Sequence, residues 1–282
     1  MDSIVTYTAV LDVREDTVFF VARLLVLRRI GLGTRKGRRA LGCYRQAVLV
    51  IRWFLDGTRV AQLAADNGIG KSTAYVYLHE GIDALAGCAP DLAEAMTAAK
   101  AAGAGHLNLD GTVVLTDRCS HPGPNGADLW WSGKHRHHGG NVQVLSDPTG
   151  WLIWVSGVRP GREHDTTCAK AAGGLMPALE QAAAEDMPTL TDLGYEGLAG
   201  PALRMPVKKT KGVELSEADK QYNLMIRGVH GVAERANSLL KTTFKALRRV
   251  SVCPWRIGVI AKAALVLLHL EHGRPLPAHH AT

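Results

Sequence analysis

The arrangement of apolar and polar residues divides the chain into a helical first part and a mixed second part. Up to about residue 100, apolar residues recur with helical spacing, as in VFFVARLLVLRRI and YRQAVLVIRWFL, and strand-like alternation is almost absent. After the Ala-rich stretch AEAMTAAKAAGAG, short β-prone runs follow in the order HLNLDGTVVL, DLWWSGKHRH, NVQVLSD and WLIWVSGV, with a DPTG turn between the last two. Helices around 166–185, strands at PTLTDLG and ALRMPVKK, and a long helix ending near Arg249 complete the predicted order.

Glycine and small residues interrupt the helical rhythm at Gly103 to Gly105, where we place a domain boundary. The predicted organisation is a helical domain over 1–103, an α/β domain over 104–275 and a tail over 276–282. The predicted fold class is therefore α/β, a mixed sheet flanked by helices, preceded by an all-α domain.

Residues 58–78, TRVAQLAADNGIGKSTAYVYL, have the layout of a helix-turn-helix. A short helix from Val60 to Asp66 is followed by a turn at 67–70 and by a second helix that Ser72 opens and that runs to Leu78. In such motifs the second helix enters the major groove of DNA. An ordinary pair of packed helices is the alternative. The expected DNA contacts come from the start of the second helix: Lys71, Ser72, Thr73 and Tyr75.

The charge of the chain favours a polyanionic partner. Its 33 Lys and Arg residues exceed its 26 Asp and Glu residues, which gives a formal net charge of +7. The run 28–45 carries seven Arg or Lys and no acid, and a second basic zone spans 208–249. Two separate basic zones fit an extended nucleic acid better than a small acidic ligand. The candidate DNA contacts in the first zone are Arg35, Lys36, Arg38 and Arg39.

The cysteines and apolar runs indicate a reducing compartment and no membrane span. The five cysteines are scattered and contain no CxxC pair, which argues against a disulfide framework and a thiolate zinc site. The N-terminal stretch lacks the layout of a signal peptide, and Arg23 and Lys262 interrupt the two long apolar runs. We expect a cytoplasmic, nucleoid-associated protein with both runs as core helices.

Three acidic residues stand out by their positions. Asp110 lies in a β-prone run in which Leu107 and Leu109 face the opposite side, so its carboxylate points to the other face of the sheet. Asp192 ends a later β-prone run just before a glycine, where α/β sheets often place functional groups. Glu234 is the only acid in a basic amphipathic helix, and no Lys or Arg stands three or four residues from it.

Each of these acids also has an ordinary interpretation: a strand Asp that caps a turn, a turn-forming Asp, and a solvent-exposed Glu. Together they can converge on two divalent cations, which clamp the attacking and leaving oxygens of a phosphodiester. Hard oxygen ligands suit Mg²⁺ or Mn²⁺. The basic residues around Glu234 would then hold the DNA backbone beside the cations.

Five runs, three of which carry these acids, resemble a known family. In order they are LNLDGT, WWSGKHRHHGGNVQVLSDPTGWLIWVSG, GREHD, TDLGYEG and VAERANSLLK. Together they resemble the DDE-superfamily transposases of bacterial insertion sequences, over nearly the whole chain. The resemblance implies an RNase H-like catalytic domain after an N-terminal helix-turn-helix domain. It assigns the catalytic, metal-binding triad to Asp110, Asp192 and Glu234, with Mg²⁺ or Mn²⁺ as cofactor.

The C-terminal signature of that family has an Arg four residues before the Glu and a Lys seven residues after it. Lys241 fills the second position here, but His230 stands in the first, and Arg227 stands where the family has a Tyr. Histidine carries less charge than arginine at neutral pH. The further DNA contacts expected around the site are Lys134, Arg227, His230, Lys241 and Lys245.

Two other groups have less direct interpretations. The cluster His135, His137 and His138 could form a zinc site, although contact with DNA is favoured because Lys134 and Arg136 lie in the same run. Asp165, in the GREHD turn, most simply caps the N-terminus of the next helix and is otherwise a reserve candidate for the metal site.

The expected function is that of a transposase, which binds terminal inverted repeats, cuts the DNA ends and joins the 3′-hydroxyls to a target, as a homo-oligomer on double-stranded DNA. A catalytically inactive or domesticated helix-turn-helix DNA-binding protein is an alternative, because of His230 and Arg227. A second alternative is an RNase H-like nuclease without strand transfer.

Overall fold

The computed structural model describes residues 10–276, apart from residues 118, 124 and 199 and the side chains of residues 230 and 233. Its first part is helical, as predicted, and contains α1 (Glu15–Gly31), α2 (Cys43–Asp56), α3 (Val60–Asp66), α4 (Lys71–Ala86) and α5 (Leu92–Ala101). The helix pair expected over 58–78 is present as α3 and α4. Helix α4 starts at Lys71, with Gly70 as its N-cap, and runs two turns beyond the predicted end at Leu78.

A mixed sheet follows, whose strands are β1 (Leu107–Leu115), β2 (Trp131–Ser132), β3 (His137–Ser146), β4 (Leu152–Val155), β5 (Arg159–Pro160), β6 (Thr189–Leu190) and β7 (Leu203–Arg204). Strand β3 is antiparallel to β1, and β2, β4 and β5 pair antiparallel with the other edge of β3. On the far side of β1, β6 is parallel to β1 and β7 is parallel to β6. This mixed sheet is consistent with an RNase H-like fold.

Helices cover both faces of the sheet because its strands are apolar on both faces. The remaining helices are α6 (Asp165–Ala171), α7 (Leu175–Ala184), α8 (Glu217–Thr243) and α9 (Ile257–Glu271). Leu107 and Leu109 belong to a buried cluster with α5, α6 and α7. Val114 belongs to a larger cluster with α1 to α4, α8 and α9. The alternation along β1 therefore sends neighbouring side chains into two different cores.

The larger cluster joins the helical first part to the rest of the chain. The rings of Phe54 in α2 and Phe244, just after α8, meet edge to face with centroids 5.9 Å apart. The division predicted at Gly103 to Gly105 falls between α5 and β1 and remains a prediction about domains.

No helix within the described residues is long and apolar enough to span a membrane.

The long helix and the strand expected through PTLTDLG also differ from their predicted bounds. The long helix ends at Thr243 and not near Arg249, because Phe244 turns to an extended conformation (φ −110°, ψ 101°) and buries its ring. The strand expected through PTLTDLG has only two residues, Thr189 and Leu190. It ends because Asp192 forms a turn: its Oδ1 accepts a hydrogen bond from the Gly194 N–H (2.9 Å), and a short 3-10 helix follows.

Candidate active site

Asp110 lies on β1, and Asp192 lies in the turn that follows the neighbouring parallel strand β6. In the β1–β6 ladder, Leu107 pairs with Thr189 and Asn108 pairs with Leu190. Each aspartate comes two residues after the second pair. Neighbouring strands lie about 4.8 Å apart. Two acidic residues that are distant in sequence therefore lie on adjacent segments of the chain, at the point where β6 ends and β1 continues.

The backbone and helix α8 hold the Asp110 carboxylate in place. Its Oδ1 accepts a hydrogen bond from the Gly111 N–H (2.7 Å), and its Oδ2 accepts one from Asn237 Nδ2. Four residues further along α8, Lys241 Nζ donates to the carbonyl oxygen of Val113 (2.9 Å). These two contacts fix α8 across β1.

Glu234 lies on α8 one turn before Asn237 and is exposed. Within the described residues it makes no hydrogen bond or ion pair. Asn237 thus connects the helix that carries Glu234 to Asp110. The sequence reasoning missed this role of Asn237. The signal that could have indicated it is the position of Asn237 three residues after Glu234, on nearly the same side of the helix.

Asp165 does not cap helix α6, and this prediction was wrong. The N-cap is His164, whose side chain accepts from the Thr166 N–H (3.4 Å). Asp165 is the first helical residue and turns its carboxylate toward the sheet, where Asn141 Nδ2 donates to its Oδ1 (2.7 Å). Its other oxygen, Oδ2, lies 3.9 Å from Lys134 Nζ. The imidazole therefore accepts from the Thr166 N–H at the helix start, and the Asp165 carboxylate is directed to the sheet instead.

Tyr195 is a further residue of this region that sequence reasoning did not identify. Tyr195 is fully buried, and its hydroxyl donates to Gln143 Oε1 (2.6 Å). Burial raises its pKa well above the usual value of 10.0, and the negative charges of Asp165, Asp110 and Asp192 raise this pKa further. The hydroxyl therefore stays protonated and acts as a hydrogen-bond donor.

Positive charge approaches the carboxylates from two elements. Burial lowers the pKa of Lys241, while the nearby charge of Asp110 opposes this shift. In the turn between β2 and β3, burial lowers the pKa of His135, as do the charges of Lys134 and Lys241, while Asp165 opposes the shift. Helix α8 and this turn therefore both face the acidic groups.

The donor groups of the site decide whether it suits the expected divalent cation. Among the residues that the structure describes, no group of three or more His, Cys, Asp or Glu side chains could hold a metal ion. The donor chemistry nevertheless fits a hard cation. Asp110 and Asp192 supply carboxylate oxygens, and Asn237 Oδ1 is buried without a hydrogen-bond partner.

Two of the three histidines suggested as a zinc site make other contacts. His138 Nε2 lies 3.0 Å from Asp128 Oδ2, and His137 Nδ1 lies 2.9 Å from the His138 carbonyl oxygen. The imidazole of His138 also packs edge to face on Trp131, with centroids 5.1 Å apart. These contacts of His137 and His138 therefore lie within and beside the β2–β3 hairpin.

Most of the candidate DNA contacts lie at the surface. Arg39 differs, because it donates to the buried carboxylate of Glu80 (2.8 Å) and lies over the ring of Tyr77. Thr73 and Tyr75 are half-buried, and the side chain of His230 lies outside the described residues. The exposed candidates are Arg35, Lys36, Arg38, Lys71, Ser72, Lys134, Arg227 and Lys245.

Residues 109–269 match the model of the DDE superfamily endonucleases, which is more than half of the chain. This chain therefore belongs to the DDE superfamily endonucleases, a class of transposase-like nucleases. The matched span begins one residue before Asp110 and includes Asp192 and Glu234.

One solved structure is similar to this chain, the crystal structure of a pre-cleavage Mos1 transpososome. The identity is 12%, the match covers 92% of this chain and 97% of that chain, and the TM-score is 0.22. A likeness at this level carries no argument about fold or function. The comparison with curated proteins gave no match.

Proposed function

We propose that the protein is a DNA transposase of an insertion sequence, which binds the terminal inverted repeats, cuts the DNA ends and joins the 3′-hydroxyls to a target. The observation that supports this most directly is the position of Asp110 on β1 and of Asp192 just after the parallel strand β6, inside the DDE endonuclease span. Helix α8 carries the third acid of the proposed triad, Glu234, across the same strand.

Asp110, Asp192 and Glu234 would hold Mg²⁺ or Mn²⁺, two ions per site. When bound, these ions would stabilise the negative charge on the attacking and leaving oxygens of the phosphodiester. The chain's own contribution is orientation: Asn237 and the Gly111 N–H fix Asp110, and the Asp192 turn fixes the second carboxylate. Lys241, anchored on Val113, places a positive charge beside them for the DNA backbone.

The helix pair α3 and α4 is proposed as the DNA-reading part of a helix-turn-helix. The first turn of α4 exposes Lys71 and Ser72. A cleft of about 590 Å³ lies between this helix start and the segment around Arg249. Its lining includes three cations, Arg59, Lys71 and Arg249, and one acid, Asp117, which accepts a hydrogen bond from Arg249 Nε (2.6 Å). A basic cleft between the helix pair and the RNase H-like sheet fits a phosphate backbone. We place the protein in the cytoplasm, on the nucleoid, as a homo-oligomer assembled on DNA.

The test uses labelled duplexes that cover the DNA on each side of the gene, with a supercoiled plasmid as target. The wild-type chain is expected to cut the duplexes in Mg²⁺ at the ends of inverted repeats and to transfer the label to the plasmid. Cut products without transfer would favour a nuclease that does not join DNA. Binding without cutting would favour a DNA-binding protein, and neither binding nor cutting would reject all three functions.

A further inference from the structure

Two neighbouring tryptophans at the start of β2 have opposite environments. Trp130 is 1% exposed and packs edge to face on Trp255, with ring centroids 4.7 Å apart. Trp131 is 43% exposed and belongs to neither of the two buried clusters. Tryptophan is enriched where proteins contact other molecules, because its ring offers a large apolar area at little conformational cost. Trp131 is therefore a candidate contact residue.

The ring of Trp131 is held in place before any ligand binds. In the β2–β3 ladder Trp131 is paired with His138, and the two rings meet edge to face with centroids 5.1 Å apart. His138 Nε2 in turn lies 3.0 Å from Asp128 Oδ2, and Asp128 Oδ1 accepts a hydrogen bond from the Trp130 N–H (3.0 Å). A group that is already oriented loses little conformational entropy on binding.

A cleft of about 490 Å³ opens at this ring, which is within the range of roughly 300–1,000 Å³ that is typical of small-ligand sites. The residues that line it are Asp128, Trp131, His137, His138 and Arg249. Proteins hold unpaired nucleotides by stacking the base on an aromatic ring and by placing a cation beside the phosphate. Trp131 and Arg249 offer both contacts, and the one acid of the lining, Asp128, is already engaged by His138.

Arg249 connects this cleft to the proposed DNA cleft at the start of α4, because it lines both. The end of β1 fixes the two walls relative to each other: the Thr116 N–H donates to the His138 carbonyl oxygen (2.9 Å), and Thr116 forms a β-bridge with Val250. The ion pair between Arg249 and Asp117 is more than half exposed on both sides, so it is weak and a phosphate can replace Asp117. A DNA strand bound at Arg249 therefore lies next to this cleft.

We propose that the cleft at Trp131 binds an unpaired nucleotide of the DNA, with its base stacked on the indole ring and its phosphate paired with Arg249. The base has to be unpaired, because in a duplex the neighbouring base pairs cover both of its faces. The turn that follows Trp131 reaches the candidate active site, where Lys134 Nζ lies 3.9 Å from Asp165 Oδ2. This inference rests on the proposed function, because it takes DNA as the partner.

The test compares two duplexes of equal length and charge, one fully paired and one with a central bubble of unpaired thymidines. Because the phosphate contacts are the same, the ratio of the two affinities reports the unpaired bases. Measured by fluorescence anisotropy without divalent cations, the full-length chain should bind the bubble about 5- to 100-fold more tightly. W131A should lose most of this preference, and W131F, which keeps an aromatic ring, should retain part of it. Equal affinity of the wild-type chain for both duplexes would overturn the proposal.

The matched control is W255A, which removes another exposed tryptophan that lies outside the cleft lining. W255A should keep the wild-type preference for the bubble. R249A should weaken binding of both duplexes by a similar factor, because phosphate contacts do not distinguish paired from unpaired bases. A preference that stays intact in folded W131A, or that falls equally in W131A and W255A, would contradict the assignment.

A measurement on the wild-type chain decides the matter if W131A does not fold. Iodouracil replaces the unpaired thymines of the bubble, the complex is irradiated, and the crosslinked peptide is identified by mass spectrometry. The crosslink is expected at Trp131 in the β2–β3 hairpin. Crosslinks confined to other segments of the chain would reject the nucleotide site.

Failure of this proposal and failure of the proposed function give different results. A bubble preference that W131A loses, together with a wild-type chain that never cuts DNA, would support the nucleotide site and reject the transposase. A wild-type chain that cuts and joins DNA but binds the two duplexes equally would reject the nucleotide site alone. Binding of neither duplex would reject both.

Discussion

The side-chain amide of Asn237 donates a hydrogen bond to the carboxylate of Asp110 and thereby joins the long helix α8 to the central strand β1. Asp110 is half-buried, so this bond both stabilises the fold and orients a carboxylate of the site. N237A should lower the free energy of unfolding by about 1–3 kcal/mol, because a partner of a charged group is lost.

Urea unfolding of the wild-type chain, N237A, D110N and the double mutant measures how much of this loss comes from the pair. We expect a coupling energy of about 0.5–3 kcal/mol between the two positions. Additive losses would show that Asn237 stabilises α8 independently of Asp110.

Gly111 should tolerate no larger residue while Asp165 is present. G111A should lower the free energy of unfolding by about 1–3 kcal/mol, because its Cβ would overlap the Asp165 carboxylate. In a D165A background the obstacle is gone, so the same substitution should cost much less. An equal cost in both backgrounds, measured by denaturant unfolding, would contradict the described contact.

Alkaline pH should destabilise the protein through Tyr195. Its pKa in the folded chain lies well above 10.0, whereas in the unfolded chain it ionises near that value. Above this pH the unfolded state has lost the proton that the folded state keeps, so stability falls as pH rises, by at most about 1.4 kcal/mol per pH unit. The contribution is fully present below pH 10.0.

Y195F isolates this effect. The variant should be less stable at neutral pH, by about 1–3 kcal/mol, because the buried Gln143 Oε1 loses its donor. It should also lose stability less steeply above pH 10.0. The thiol of Cys168, whose pKa burial raises to about 12, adds a similar slope to both proteins and cancels in the comparison. Parallel pH profiles would show that Tyr195 ionises normally in the folded chain.

DNA binding through the start of α4 should depend on Lys71. K71A should weaken binding and reduce the magnitude of the salt slope of log K by about 1, as expected for one lost phosphate contact. The control is K170A, which changes an exposed lysine on α6. Equal salt slopes for K71A and K170A, measured by fluorescence anisotropy, would remove α4 from the DNA interface.

R39A, in contrast, should lower stability, because the buried Glu80 loses a partner.

Local signals in the sequence were sufficient for most of the fold. The helical first part, the α3–α4 pair, the β1 strand with Asp110 opposite Leu107 and Leu109, and the DPTG turn all follow from periodicity and turn chemistry. The DPTG turn is an example, since Asp147 Oδ1 accepts hydrogen bonds from the backbone N–H groups of Thr149 and Trp151 within the same turn. Such contacts span only a few residues and leave a local pattern.

The features that the sequence did not predict depend on contacts between distant residues. His164, and not Asp165, caps α6, because the carboxylate is drawn to Asn141 on β3. The end of α8 at Thr243 depends on where the Phe244 ring is buried, among residues of α2. Asn237 and Tyr195 gain their roles only when α8 and the 3-10 helix after β6 meet the sheet. No periodicity encodes these contacts, because each joins segments tens of residues apart.

The proposed catalytic role of Asp110, Asp192 and Glu234 is most directly tested by DNA cleavage in Mg²⁺ with single substitutions. D110N, D192N and E234Q should each reduce cleavage of the flanking DNA by about 10³-fold or more, the effect of several kcal/mol of lost transition-state stabilisation. DNA affinity should stay at the wild-type level, and the control D186N, which changes an exposed aspartate, should cut like the wild-type chain. Undiminished cleavage by D110N or D192N would contradict the account.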